Sequence, residues 1–303
     1  MSRQRVADIG LVIVTISWGA SFLVTKSILA DIPIYNFLAI RFLLAFIISS
    51  VIFIKKMFNM DKKTLKYGII LGIILFIVYA LQTVGLKYTT CSKSAFITGL
   101  NVILVPLIIS VVAKKVPANK TIISVILAFI GLGLLTLNQG FTGINRGDLL
   151  TFFCAVIFAF YILLVSKYTV KSKSIPLAVI QLGIVGLLNL FTSLIIEEPI
   201  IPALGINWVN ILFLSVFCTS IAYIVQNVAQ RYTSPTHTAL IFTGEPVFAA
   251  IFAYIFFGEV LTIRGILGAV LILAGMLIVE LNLKKLITRI IRGGYGIEKS
   301  QNV

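Results

Sequence analysis

Glu245 stands near the middle of a long apolar run, in a chain with only ten Asp and Glu among 303 residues. A carboxylate in hydrocarbon costs on the order of 2.5 to 3.5 kcal/mol by insertion scales, so it must face protein or a wet cavity. Two chemistries suit it. It can bind a proton or a substrate ammonium in a desolvated setting, or it can bond neighbouring helix groups at the break where Pro246 frees the carbonyl of Phe242. Arg41, inside an earlier run, offers the opposite charge. Its guanidinium can take a carboxylate bidentately, although snorkelling outwards or capping carbonyls at the outer face is the stronger reading. Pro106 and Pro246 fall in corresponding runs about a turn apart in register. Paired interruptions expose backbone groups to a bound solute, and prolines that merely kink a membrane helix are the equal alternative.

Uncharged side chains at helical spacing surround these groups: Trp18, Ser21, Phe22 and Thr25; Tyr79 and Gln82; Thr98 and Asn101; Phe158 and Tyr161; Tyr223, Gln226 and Asn227. Amides and phenols orient a polar or zwitterionic solute, and rings hold its apolar part without a fixed charge. Any one aromatic is more often plain helix packing, but these residues converge on corresponding segments. Lys87, Lys93, Arg231 and His237 flank two similar hairpins as candidate gates. His237, the sole histidine, reads either as a pH switch or, more readily, as a solvated inner-face residue. Gly68 with Gly72, and Gly265 with Gly268, point to close helix packing. Cys91, Cys154 and Cys218 are scattered, which indicates neither a disulfide framework nor a zinc site. No metal or other cofactor is expected.

Ten elements must position these residues. Hydrophobic residues make up 59% of the chain and charged residues 12%, with a mean hydropathy of +1.10; a soluble domain carries about a quarter charged residues. An all-α integral membrane protein follows. Runs long enough to span lie near 9–29, 35–54, 67–86, 94–113, 120–137, 148–166, 175–196, 208–229, 238–257 and 262–282. Turn chemistry separates them at Asp31 with Pro33, Asn59 with Asp61, Val116-Pro117, Asn138-Gln139-Gly140, Glu198-Pro199 with Pro202, and Ser234-Pro235. The net charge of +15 comes in short clusters between runs rather than along one surface, so no nucleic acid is implied. Alternate connections are rich in Lys and Arg, among them Arg3 and Arg5, Lys55 to Lys66, Lys114 to Lys120, Lys167 to Lys173, and Lys284 to Lys299. That places both termini in the cytoplasm of a multi-pass cell-membrane protein. The tail after Leu283 alternates basic and apolar residues and suits contact with anionic membrane lipid.

The two halves repeat one another. Thr83 to Ala95 matches Asn227 to Ala239 at a spacing of 144, with Gln82 against Gln226, Tyr88 against Tyr232 and Thr89 against Thr233. A one-residue slip carries the match through Thr98-Gly99 and Thr243-Gly244, and register returns at Gly131 against Gly275. At a separate spacing of 140, Arg41 matches Gln181. The expected organisation is a first five-helix repeat over 1–138, a second over 147–282, and a basic cytoplasmic tail over 283–303. Five is odd, so the second copy starts on the opposite side and is inverted. Two antiparallel halves can rock about a shared axis and open a central site to either side.

Trp18-Gly19-Ala20-Ser21-Phe22, Arg41-Phe42-Leu43-Leu44, Gly85-Leu86-Lys87-Tyr88-Thr89, Glu245-Pro246 and Gly258-Glu259 together resemble the EamA family of the drug/metabolite transporter superfamily, over about 8 to 282. The resemblance implies ten-helix exporters of amino acids and other small metabolites, with a central cavity lined by the first, third, fourth, sixth, eighth and ninth helices. Asn101 stands where the second copy has Glu245-Pro246, and Lys114-Lys115 where it has Gly258-Glu259, so the halves are not chemically equivalent. The expected function is secondary transport of small metabolites by alternating access, with proton coupling through Glu245 as an open variant. A broad drug exporter or a lipid-intermediate flippase is the alternative. A membrane-embedded lipid enzyme is remote, because the sequence lacks HExxH and GxSxG, and no phosphate loop implies nucleotide fuel.

Overall fold

The computed structural model describes residues 2–89, 91–136, 145–202, 205–257 and 262–280. Among them there is helix and no strand, as expected where hydrocarbon leaves each backbone group to be satisfied within its own segment. In chain order the helices are α1 (Arg3–Ile28), α2 (Ile34–Ile52), α3 (Ile54–Phe58), α4 (Lys62–Tyr88), α5 (Cys91–Gly99), α6 (Asn101–Ala113), α7 (Asn119–Thr136), α8 (Arg146–Thr169), α9 (Ser174–Ile196), α10 (Ile206–Phe213), a π-helical segment (Leu214–Ile221), α11 (Ala222–Ala229), α12 (Pro235–Phe242), α13 (Glu245–Phe257) and α14 (Ile263–Glu280). Seven stretches among the described residues are long and apolar enough to cross a bilayer: α1, α2, α4, Ser94–Ala113, α8, α9 and Ile206–Ala229. Shorter apolar stretches lie in α7 and α14. The turn residues Asn138, Gln139 and Gly140, the pair Gly258 and Glu259, the Lys93 side chain and the basic tail lie outside the described residues.

Local chemistry sets where the helices begin. Asn145 and Asp148 form a reciprocal capping box at the start of α8. Ser234 accepts from the amide of His237, with Pro235 in the first turn of α12. Pro33 precedes α2 and has no side-chain acceptor to offer. The carboxylate of Glu197, just past α9, supplies it instead, taking the amides of Tyr35 and Asn36 at 3.1 and 2.9 Å.

α2 packs on α9, α7 on α14, α4 on α8 and α9, and α1 on α11, α12 and α13. Glycines set the closest approaches, because lipid tails offer no competing apolar gain and backbone proximity does the work. A Cβ on Gly131 would lie 2.6 Å from the carbonyl oxygen of Gly268 and 2.9 Å from Ile272; one on Gly275 would lie 2.8 Å from the carbonyl oxygen of Ser124. Ser124, Ala128 and Gly131 precede Gly268, Ile272 and Gly275 by the repeat spacing of 144, so the α7 and α14 crossing looks alike from either helix. Gly183 and Gly186 of α9 likewise seat Phe46 and Leu43 of α2, whose own counterparts at spacing 140 are Gly186 and Gly183. Gly68 and Gly72 receive Ile180 and Ile184 of α9. At the centre, Tyr223 Oη donates to Tyr79 Oη at 3.0 Å, between residues 144 apart. A residue meets its own counterpart only at the axis relating two copies, and these phenols mark it.

Candidate functional site

Two helices are broken at matching places. Leu100 separates α5 from α6, and Thr243 with Gly244 separates α12 from α13. The second break is the Thr243-Gly244 pair itself, and the first falls one residue after its match, Thr98-Gly99. Pro106 makes no break, contrary to the expectation from sequence: it lies inside α6, where Ser110 Oγ donates to its carbonyl at 2.7 Å. The carbonyl that lacks a proline N–H is that of Val102, one turn earlier, and the helix runs on through this position. Pro246 occupies the first turn of α13, where its missing N–H leaves no intrahelical bond unmade.

Beside the breaks lies a narrow cleft of about 610 Å³, its open mouth included. Trp18, Ser21, Phe22 and Thr25 of α1 line it, with Arg41 of α2, Tyr79 and Gln82 of α4, Thr98 of α5, Phe158 of α8, Tyr223 of α11 and Glu245 of α13. Val78, Thr83 and Leu86 of α4 complete the wall, and the sequence reading passed over them. They are ordinary in type, and only the spacing from Tyr79 and Gln82 along α4 could have found them.

Arg41 corrects the snorkelling reading. Its side chain is 2% exposed, Nε donates to Thr219 Oγ1 at 2.7 Å, and Cζ lies 5.4 Å from the Tyr79 ring centroid. A hydroxyl and a ring face hold the cation within protein, which removes the reason to reach for water. Its Nη2 is buried without a hydrogen-bond partner. Thr219 belongs to the π-helical segment, where its own hydroxyl bonds back five residues to the carbonyl of Leu214 at 2.8 Å. Trp18 Nε1 donates to the carbonyl of Cys218 in the same segment at 3.0 Å. The wider helical turn therefore anchors both the cation and the indole, a placement that π-bulges at functional sites often serve. No sequence signal announced it.

Glu245 is half-buried and opens α13. Among the described residues no hydrogen bond or ion pair engages its carboxylate. Gly19 lets α1 approach it closely, since a Cβ there would lie 2.9 Å from the Glu245 carbonyl oxygen. Rings close the deep side: Trp18 lies 5.5 Å from Tyr223 and 4.9 Å from Phe242 between centroids, and Phe42 stands edge-on to Tyr79 at 4.7 Å.

The remaining candidates are packed away from the cleft. Tyr161 donates to Gln181 Oε1 at 2.8 Å, so the counterpart of Arg41 sits in a neutral hydrogen bond. Asn101 is buried. Gln226 Nε2 donates to Gln230 Oε1 at 3.2 Å and Asn227 Nδ2 to the Tyr223 carbonyl at 2.8 Å, while Gln230 Nε2 reaches Ser166 Oγ at 3.3 Å. Tyr79, Gln82, Thr83 and Leu86 of the cleft wall correspond, 144 residues on, to Tyr223, Gln226, Asn227 and Gln230. One wall borders open space; its counterpart is mostly packed shut. Lys87 and Arg231 are exposed at the hairpins. His237 is not solvated: it is 5% exposed, with Nδ1 3.9 Å from Asp8 Oδ1 and 3.5 Å from Gln4 Nε2.

The EamA-like transporter profile matches residues 5–137 and again 145–281. This chain belongs to the EamA-like transporter family. A protein of Archaeoglobus fulgidus described as an uncharacterized transporter is 35% identical to this EamA-like chain, over 92% of the chain and 87% of the relative. The uncharacterized transporter YyaM of Bacillus subtilis is 30% identical over 72% and 74%. A solved structure described only as a crystal structure of a protein superposes with a TM-score of 0.79 at 16% identity, over 93% of this chain and 99% of its own, which shows a shared fold. The two EamA-like matches correspond to the two copies whose counterparts meet at Tyr79 and Tyr223.

Proposed function

We propose that this transporter carries small metabolites, amino acids or related amphiphilic solutes, out of the cell by alternating access through ten spans arranged as two inverted repeats. Helix order supports the ten spans: α5 with α6, α10 to α11, and α12 with α13 each read as one interrupted rod. Both termini lie in the cytoplasm in this reading, because the basic connections cluster there. The observation that carries it is the unequal pair of walls. Gln226 Oε1 and Asn227 Oδ1 are buried without partners, while their counterparts Gln82 and Thr83 border the cleft. Unpaired buried polar atoms call for an explanation. Rocking of the repeats wets them when the cleft closes on one side and opens on the other.

The cleft suits a zwitterion. Arg41 offers an unpaired guanidinium nitrogen to a carboxylate, and Glu245 offers an acceptor to an ammonium or a proton. Trp18, Phe22 and Phe158 take the apolar side chain. Flux of labelled neutral amino acids into proteoliposomes tests this. Transport should respond to an imposed pH gradient, and Glu245→Gln should remove that response. Amino acid flux that ignores both the gradient and the substitution would overturn the coupling, and no amino acid flux at all would overturn the substrate class.

A further inference from the structure

A second cleft, of about 830 Å³ with its open mouth included, opens at the end of the molecule where α1 begins, apart from the one that Glu245 lines. Lys56 of α3, Lys173 before α9, and Arg231 after α11 bring three cations to it, with Tyr232 at its edge. Arg3 adds a fourth, its guanidinium 6.0 Å from the Tyr232 ring centroid. The nearby acid is Asp61, held below the usual carboxylate range chiefly by the Thr64 hydroxyl and also by Lys173. Lys173 in addition donates to the carbonyl of Asn59. The cations outnumber that carboxylate, and they converge from three separate elements.

The floor of this cleft is built to donate hydrogen bonds. Ser174 opens α9, and no side chain caps that helix end. Ser174 is 8% exposed, lines the cleft, and its hydroxyl is buried without a partner. An anion there would meet a free hydroxyl, a helix N-terminus and the cations together.

The surface beside the cleft exposes apolar side chains. α3 exposes Ile54 and Phe58, one turn apart on one face, next to Val51 and Ile52 at the end of α2. The Lys56 ammonium lies 5.3 Å from the Phe53 ring centroid. A headgroup in the cleft would leave its acyl chains on this face. We infer that the cleft holds the phosphate of an acidic phospholipid drawn from the adjacent leaflet, clamped by Lys56, Lys173 and Arg231 and bonded by Ser174. Basic pockets between spans commonly take such headgroups, each cation adding attraction near the surface.

Native mass spectrometry of the purified full-length protein in mixed phosphatidylglycerol and phosphatidylcholine micelles tests this. The wild type should retain phosphatidylglycerol in preference. The double variant Lys56→Gln, Arg231→Gln should lose that preference by roughly tenfold or more, and Lys56→Arg with Arg231→Lys should keep it. Should the neutral variant fail to fold, raised salt should erode the preference of the wild type. Equal retention of both lipids, or a preference untouched by both the neutral variant and salt, would overturn the site. In a parallel thermal-shift arm, stabilisation by inorganic phosphate or glycerol 1-phosphate but not by phosphatidylglycerol would overturn the lipid as the source.

Discussion

Arg41 shows how a residue can be noticed in a sequence and still be misplaced. Its isolation in an apolar run was legible, but the partners that keep it inside come from elsewhere: Thr219 lies 178 residues away and Tyr79 on another helix. Nothing at neighbouring positions encodes them. Glu245 is the simpler case, since one acid in an apolar run must face protein or water wherever the fold puts it. If Arg41 receives the carboxylate of the solute, Arg41→Gln should weaken zwitterion binding to the purified protein about tenfold or more, the scale of a lost charge-assisted hydrogen bond. Affinity for the corresponding amine, which lacks the carboxylate, should hardly change, as isothermal titration with each ligand would report. Equal losses for both ligands would mean that Arg41 serves structure alone.

At the scale of elements, spacing carried more than composition did. Glycine pairs at helical spacing marked crossings, and Gly68 with Gly72 does receive α9. The prolines misled in one helix, because α6 runs on through Pro106 while Leu100 makes the break. Matched Thr-Gly pairs in the two copies were the better signal. The α7 and α14 crossing supports a contrast between two glycines of one helix. A Cβ on Gly131 would meet backbone at 2.6 Å, whereas one on Gly133 would find only Phe96 at 3.8 Å. Gly131→Ala should therefore destabilise by about 1 to 3 kcal/mol, the usual penalty of overpacking. Gly133→Ala should be neutral or slightly stabilising. Thermal unfolding in one detergent would separate them, and equal midpoints would contradict this crossing.

For the whole molecule, the open and packed walls predict a pattern of accessibility. In a background with Cys91, Cys154 and Cys218 replaced, Gln82→Cys should react faster than Gln226→Cys with a membrane-impermeant thiol reagent added on the side to which the cleft opens. Gln226→Cys and Asn227→Cys should be slow from either side at rest, and react from the opposite side once transport is running. Gln82→Cys and Gln226→Cys labelled alike from one side would defeat alternating access. The distinction between the two walls belongs to packing, since Gln82 and Gln226 are the same residue type in matching sequence.

Composition, run length and the 144-residue repeat determined by themselves that this chain is a membrane-embedded bundle built twice, because hydrocarbon demands apolar helices and duplication leaves a spacing that can be counted. They also picked out most residues that border the cleft. Tertiary structure alone decided that Tyr79 meets Tyr223, that Arg41 turns inward, and that one copy's wall stands open while the other's is packed shut. Pairs of one residue type such as Gln82 and Gln226 carry no local signal of which wall is open, and only contacts between distant segments decide it.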